Sequence, residues 1–177
     1  DADGTTRWLA DPASHLDMSA GWDEFVTWGE PPHFSTLGQV TLRDADGIEL
    51  WSLPVHYPSA AVAPDGSYIA LAGVPDTATQ STWAPELSDI EYRVVARDGT
   101  LLVEGASPHG RILGVTADGT SFLLQDRDPD GTDRVAARGL GGEIAWQFPI
   151  PRYAIASFVR RLGLVVVADI DGLTGYR

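Results

Sequence analysis

The feature that most constrains this chain is a recurring pair, a glycine followed four positions later by a large apolar residue. Gly4 leads to Trp8, Gly47 to Trp51, Gly99 to Val103 and Gly142 to Trp146, so the glycines stand 43, 52 and 43 residues apart. A second turn follows the later copies, at Asp65-Gly66, Asp118-Gly119 and Arg161-Leu162. Short alternating apolar runs lie between the turns. The clearest stretch, 90–126, reads as four strands: EYRVVA, TLLVEGA, RILGVTA and SFLLQD. They break at Asp98-Gly99, at the Ser-Pro-His-Gly of 107–110 and at Asp118-Gly119. Asp-Gly between alternating runs is a strong hairpin signal, because glycine takes positive φ without steric cost.

A period in the forties with four strands per copy is the signature of a β-propeller blade. The sequence therefore predicts one all-β domain over 1–177, a four-bladed β-propeller with four antiparallel strands per blade. The blades fall at about 15–53, 57–106, 111–149, and 154–177 plus 1–11. The termini carry the last assignment. Joined end to start they read YRDADGTTRW, against LRDADGIELW at 42–51. The final blade thus takes its outermost strand from residues 1–11, donated by the same chain or by a neighbour. Trp8, Trp51 and Trp146 are expected at equivalent positions between blades. LGLVVVAD, a continuous β-branched run, reads as a buried strand. The longest insertion, 74–89, carries Trp83, which either folds back on its own blade or meets a partner.

The repeated Gly-x-x-x-Trp resembles the repeat of the pyrroloquinoline-quinone-type propellers, in which the Trp packs between neighbouring blades. APDGSYIALAG, ahead of a further Asp-Gly, looks like the blades of Trp-Asp-repeat and TolB-like propellers. The resemblance covers the whole chain but is to an architecture, and it singles out no one family. It does not imply the quinone: the quinone enzymes have more blades, and their cofactor site uses residues such as Asn, which this chain lacks.

Composition narrows the functions. Net charge is −13, which argues against nucleic acid and anionic membrane surfaces as partners. Cysteine is absent, so there is no disulfide or thiolate site. No apolar run approaches the roughly 18 residues of a membrane span. The first residues show no signal-peptide pattern, as expected of a processed secreted chain or of one cut from a longer one. Asp outnumbers Glu 18 to 7, which suits turns and calcium loops more than helices.

Two constellations carry chemistry. His15, His56, His109 and Arg152 each stand just before an innermost strand, so propeller symmetry brings them towards the channel mouth. Three imidazoles there would hold a transition metal, with the Arg favouring an anion beside it. Arylsulfotransferases and some metal-dependent propeller lyases resemble this in placing His in the channel. The alternative is a structural, hydrogen-bonding His, as in Trp-Asp repeats. His33 falls outside the ring. The second constellation is Asp126, Asp128, Asp130 and Asp133 around Gly131. Carboxylates at alternate positions before a Gly open a calcium loop. Position 12 of an EF-hand would be Glu, and here it is Ala137, so the helical version is excluded. A solvated acidic turn is the alternative.

No Gly-x-Ser-x-Gly, phosphate loop or His-Glu-x-x-His occurs. The leading expectation is a non-enzymatic extracellular or cell-surface module that is structural or binds protein. A fibre or surface-layer subunit polymerised by its own N-terminal strand is its specific version. The alternatives are a propeller lyase or group transferase using the His/Arg ring, and a fragment of a larger propeller.

Overall fold

The structure, a computed structural model, describes residues 15–21, 23–29, 38–75 and 90–177. The expected strand at 4–11, Trp8, His33 and Trp83 lie outside the described residues. Among the described residues fourteen strands follow one another, and helix is limited to one 3-10 turn at Arg160–Leu162. The strands are β1 (His15–Met18), β2 (Glu24–Gly29), β3 (Gly38–Asp44), β4 (Glu49–Val62), β5 (Tyr68–Pro75), β6 (Glu91–Ala96), β7 (Leu101–Ala106), β8 (Arg111–Val115), β9 (Ser121–Arg127), β10 (Asp133–Gly139), β11 (Ile144–Pro149), β12 (Ile155–Val159), β13 (Leu164–Asp169) and β14 (Gly172–Tyr176). They form three antiparallel sheets in chain order, β1 to β7, β8 to β11 and β12 to β14.

The seven-stranded sheet is two four-stranded units sharing one long strand. β3 pairs with Glu49 to Val55 of β4, whereas β5 pairs with Val55 to Val62. The ladder shifts register between His56 and Ser59, and Tyr57 takes φ 52°. Pro54 and Pro58 flank this bend. Neither can donate to a ladder, so the strand changes partners there.

The repeat is visible in the turns. Gly47, Gly99 and Gly142 have φ of 80°, 87° and 84°. Each donates its N–H back to the residue three earlier, at 2.9 Å. Each hairpin also carries a bulge at the same place, after Leu42, Val94 and Ala137. This is the three-residue turn with a left-handed glycine, and a Cβ there would be strained.

Three cores lie between consecutive units. Val26, Val40 and Leu42 of the first meet Val62, Ile69 and Leu71 of the second. Ala70, Tyr92 and Val94 of the second meet Ile112, Phe122 and Leu124 of the third. Leu123 and Val135 of the third meet Ala156, Val165 and Val167 of the last sheet. In β9, Phe122 and Leu124 thus face one neighbour and Leu123 the other, the period-2 alternation of a strand buried on both sides.

LGLVVVAD departs from its expectation. Val165 and Val167 are buried, but Leu164 and Val166 are only half-buried. They share a face with Ile155, Val159 and Leu173, which are 59%, 39% and 77% exposed. Among the described residues no further sheet covers that face, so only one side of the run is enclosed.

Candidate functional site

The inner strands are β1, the second half of β4, β8 and β12. Each touches the next, and Ser59 Oγ accepts the Ile112 N–H at 2.9 Å. Arg160, just past β12, crosses the middle. Its Nη2 donates to the Asp17 carboxylate at 2.6 Å and to the Val62 carbonyl at 3.3 Å, and its Nη1 to the Met18 carbonyl at 3.2 Å. Asp17 also accepts the Val62 N–H at 3.0 Å. One guanidinium therefore ties the last sheet to β1 and β4.

Two cavities with shared walls follow these strands. One, about 420 Å³, is lined by Asp17, Trp28, Ala60, Leu113, Phe158 and Arg160. The other, about 440 Å³, is lined by His15, Trp28, Ser59, Arg111, Ser157 and Phe158 among others. His15 stacks on Trp28 with ring centroids 5.5 Å apart. Arg111 heads β8, and its Nη2 donates to the Ala156 carbonyl at 2.7 Å and Gln125 Oε1 at 3.2 Å. Although the residue is exposed, partial desolvation against the cavity wall pushes its guanidinium below the usual arginine range.

Of the expected ring, His15 lines this cavity, while His56, His109 and Arg152 sit apart from its lining. His56 is nearly buried in β4 opposite Val74. His109 lies in the tight turn closed by Gly110 N–H to Ser107 O at 2.6 Å, with φ 58°, and is exposed. Arg152 lies over the Tyr153 ring at 5.0 Å. Among the described residues, no three His, Asp or Glu side chains stand close enough to hold one metal ion. Arg111 occupies the ring position that spacing gave to His109. The signal was present: RILGV begins its alternation at 111, and Pro-His-Gly before it is turn chemistry. Arg160, in a turn without periodicity, gave no such signal.

The acidic loop already has its counterions within the protein. Arg134 grips Asp126 with Nε to Oδ1 at 2.6 Å and Nη2 to Oδ2 at 3.3 Å, and also pairs with Asp128. Arg127 holds Asp133 in the same way, at 2.6 and 3.3 Å. Those bonds, with the Tyr153 N–H at 3.1 Å, hold the Asp133 carboxyl below the usual carboxylate range despite burial. Asp130 accepts the Thr132 N–H at 2.9 Å, as Asp65 and Asp98 do from residues two later in their own turns.

No family model matches the chain, and no curated protein does either. Solved structures do. The β-propeller domain of the trilobed protease from Pyrococcus furiosus, described as having an open velcro topology, matches with a TM-score of 0.58 at 14% identity, over 88% of this chain and 47% of that one. The fold is of the β-propeller type. The WD40 domain of Toxoplasma gondii coronin matches at TM-score 0.60 and 11% identity, over 88% of this chain and 39% of that one. The C-terminal WD40 domain of Sif2 matches at 0.53 and 12%, over 94% and 58%. The chain thus spans less than two thirds of each of these three propellers. Identities this low carry the fold alone.

Proposed function

We propose that the protein is a non-enzymatic, extracellular module that is structural or binds protein. It is built as a four-bladed propeller whose last blade is completed by residues 4–11. The observation that carries the architecture is a link repeated from blade to blade. Trp51 of the first outer strand donates its indole N–H to the Arg97 carbonyl at 3.2 Å and lies beside Gly99 of the next outer hairpin. Val103, its counterpart, lies against Gly142 of the hairpin after that. Trp146 comes next in the series, and its counterpart glycine by repeat position is Gly4. Trp146 is 44% exposed, and its indole N–H has no acceptor among the described residues.

A second repeated contact supports the same register. Arg43 and Arg138 each donate to the carbonyl of the glycine four residues on, Gly47 and Gly142, at 3.1 Å. Arg177 stands at that distance before Gly4 if the end of the chain leads into its start. An unfilled edge on β14 would template another chain, so something must pair there. Donation within one chain has the higher effective concentration and gives a compact monomer. Donation from a neighbour gives a heterologous, open-ended polymer, the fibre or surface-layer version.

Sedimentation of the full chain and of one lacking residues 1–11 tests this. A monomer that self-associates after the deletion, with faster amide exchange along β14, supports donation in cis. A polymer lost on deletion supports donation in trans. Unchanged assembly and unchanged exchange at β14 would refute both.

A second reading has support of its own. The apolar outward face of β12–β14 and the partial cover of the matched propellers suit one part of a larger ring, with a further blade on Ile155, Val159 and Leu173. The length of the full reading frame distinguishes the two. Calcium at Asp126, Asp128, Asp130 and Asp133 remains a proposal of the sequence, and to bind there it must draw those carboxylates from Arg127 and Arg134. A melting temperature raised by saturating calcium and not by magnesium supports it, and identical melts dismiss it.

A further inference from the structure

We infer that the mouth of the axial cavity, at Arg111 and His15, binds a small carboxylate carrying an apolar body. The chain has 25 acidic residues against 12 arginines and no lysine. Carboxylates accordingly pair with Arg43, Arg93, Arg97, Arg127, Arg134, Arg138 and Arg160. Arg111, Arg152, Arg161 and Arg177 have no carboxylate partner among the described residues, and of these Arg111 lines the axial cavity. Its side chain is exposed at the cavity mouth and partly desolvated by the wall it lies against, and among the described residues no carboxylate meets it and no Asp or Glu lines this mouth. Asp17, which lines the adjoining cavity, is engaged by Arg160.

The donors left over suit a carboxylate. Among the described residues Arg111 commits only Nη2, to Ala156 and Gln125, so its Nε and Nη1 hydrogens are the ones offered to a ligand. Ser59 Oγ accepts from the Ile112 N–H, which leaves its own hydrogen to donate. Ser157 and His15 complete the polar rim, and Trp28, Pro58, Leu113 and Phe158 supply apolar walls. At about 440 Å³ the cavity has room for a ring or a branched chain behind the charged group. The net charge of −13 sets the preference between anions: a monoanion is repelled less by the whole protein than a phosphate dianion. The carboxylate comes either from a free small acid or from the C-terminus of a partner chain.

Calorimetric titration of the wild-type protein decides this. The probes are phenylacetate, its neutral isostere phenylacetamide, inorganic phosphate, and a short peptide ending in Phe with a free or an amidated terminus. Expected is saturable binding of phenylacetate at least about tenfold tighter than of phenylacetamide or phosphate. Binding of the free-ended peptide but not the amidated one assigns the partner source, and binding of phenylacetate alone assigns the free acid. Arg111→Gln should abolish the preference for carboxylate over amide, Arg111→Lys should weaken it, and Arg161→Gln, at an exposed site, should leave it intact. Equal affinity for acid and amide, no binding of either up to solubility, or an Arg111→Gln protein that folds and keeps the preference would each overturn the inference. The acid–amide comparison needs no variant, so a misfolded Arg111→Gln protein leaves the test standing.

Discussion

Replacing Arg134 by Ala should lower stability by about 3 kcal/mol or more, within the ~3–5 kcal/mol typical of breaking a buried ion pair from one side. Asp126 is 3% exposed, and Arg134 supplies its two-bonded partner. Among the described residues, removing the guanidinium leaves a buried carboxylate with only Arg138, 3.7 Å away, to offset its charge. That residual contact places the expected loss at the lower end of the range. Arg134→Ala also frees Asp128 and Gln147 Oε1, whose contacts lie nearer solvent and contribute less. Asp126→Asn should cost less, because it removes the charge together with its need for a partner. The double variant Arg134→Ala/Asp126→Asn should lose less than the sum of the two singles. Urea unfolding measures all three. An Arg134→Ala loss under about 1 kcal/mol would mean that the pair is not enclosed as described.

Phe122→Ala should cost about 3–5 kcal/mol, the usual range for deleting a buried aromatic ring. The side chain is fully buried, between the second and third units, and its ring meets Tyr92 at 5.5 Å between centroids. The cavity left behind is bounded by β-ladders on both sides, which cannot collapse into it without breaking backbone hydrogen bonds. For a chain of this length the loss corresponds to a melting temperature lower by about 6–20 °C. Phe122→Leu, which keeps most of the volume, should cost about 1.5 kcal/mol or less. A Phe122→Ala protein melting within about 2 °C of the parent would show that the sheets do not pack across this ring.

Both effects arise where the repeat is locally tight, and the repeat was the most legible part of the sequence. The positions of Gly47, Gly99 and Gly142 announced hairpins, and the backbone there takes the same left-handed turn with the same bulge three times. Strands 91–96, 101–106, 111–115 and 121–127 appear where the alternation put them. The functional residues were less legible. Counting from the anchor glycine gave His109, but the backbone turns at Pro-His-Gly and points the next strand's first residue, Arg111, into the cavity. Spacing fixes a position along the chain only to within a turn, and here His109, still in the turn, stands two positions before Arg111, the first residue of the strand. The carboxylates of 126–133 read equally well as metal ligands or as ion-pair partners. Sequence lists the acids of a loop but not which cations fold back onto them.

By itself the sequence determined the local geometry. Glycine at the turns, Asp to accept their N–H groups and alternating apolar runs require antiparallel hairpins, because those preferences act over a few residues and need no partner from afar. Tertiary structure alone decided what meets at the axis. Arg160 reaches Asp17 and Met18 across more than a hundred residues of chain, and Arg111 meets no carboxylate among the described residues of a strongly acidic protein. Both depend on how four inner strands are brought together, and that is set by the summed packing of three cores, not by any one segment.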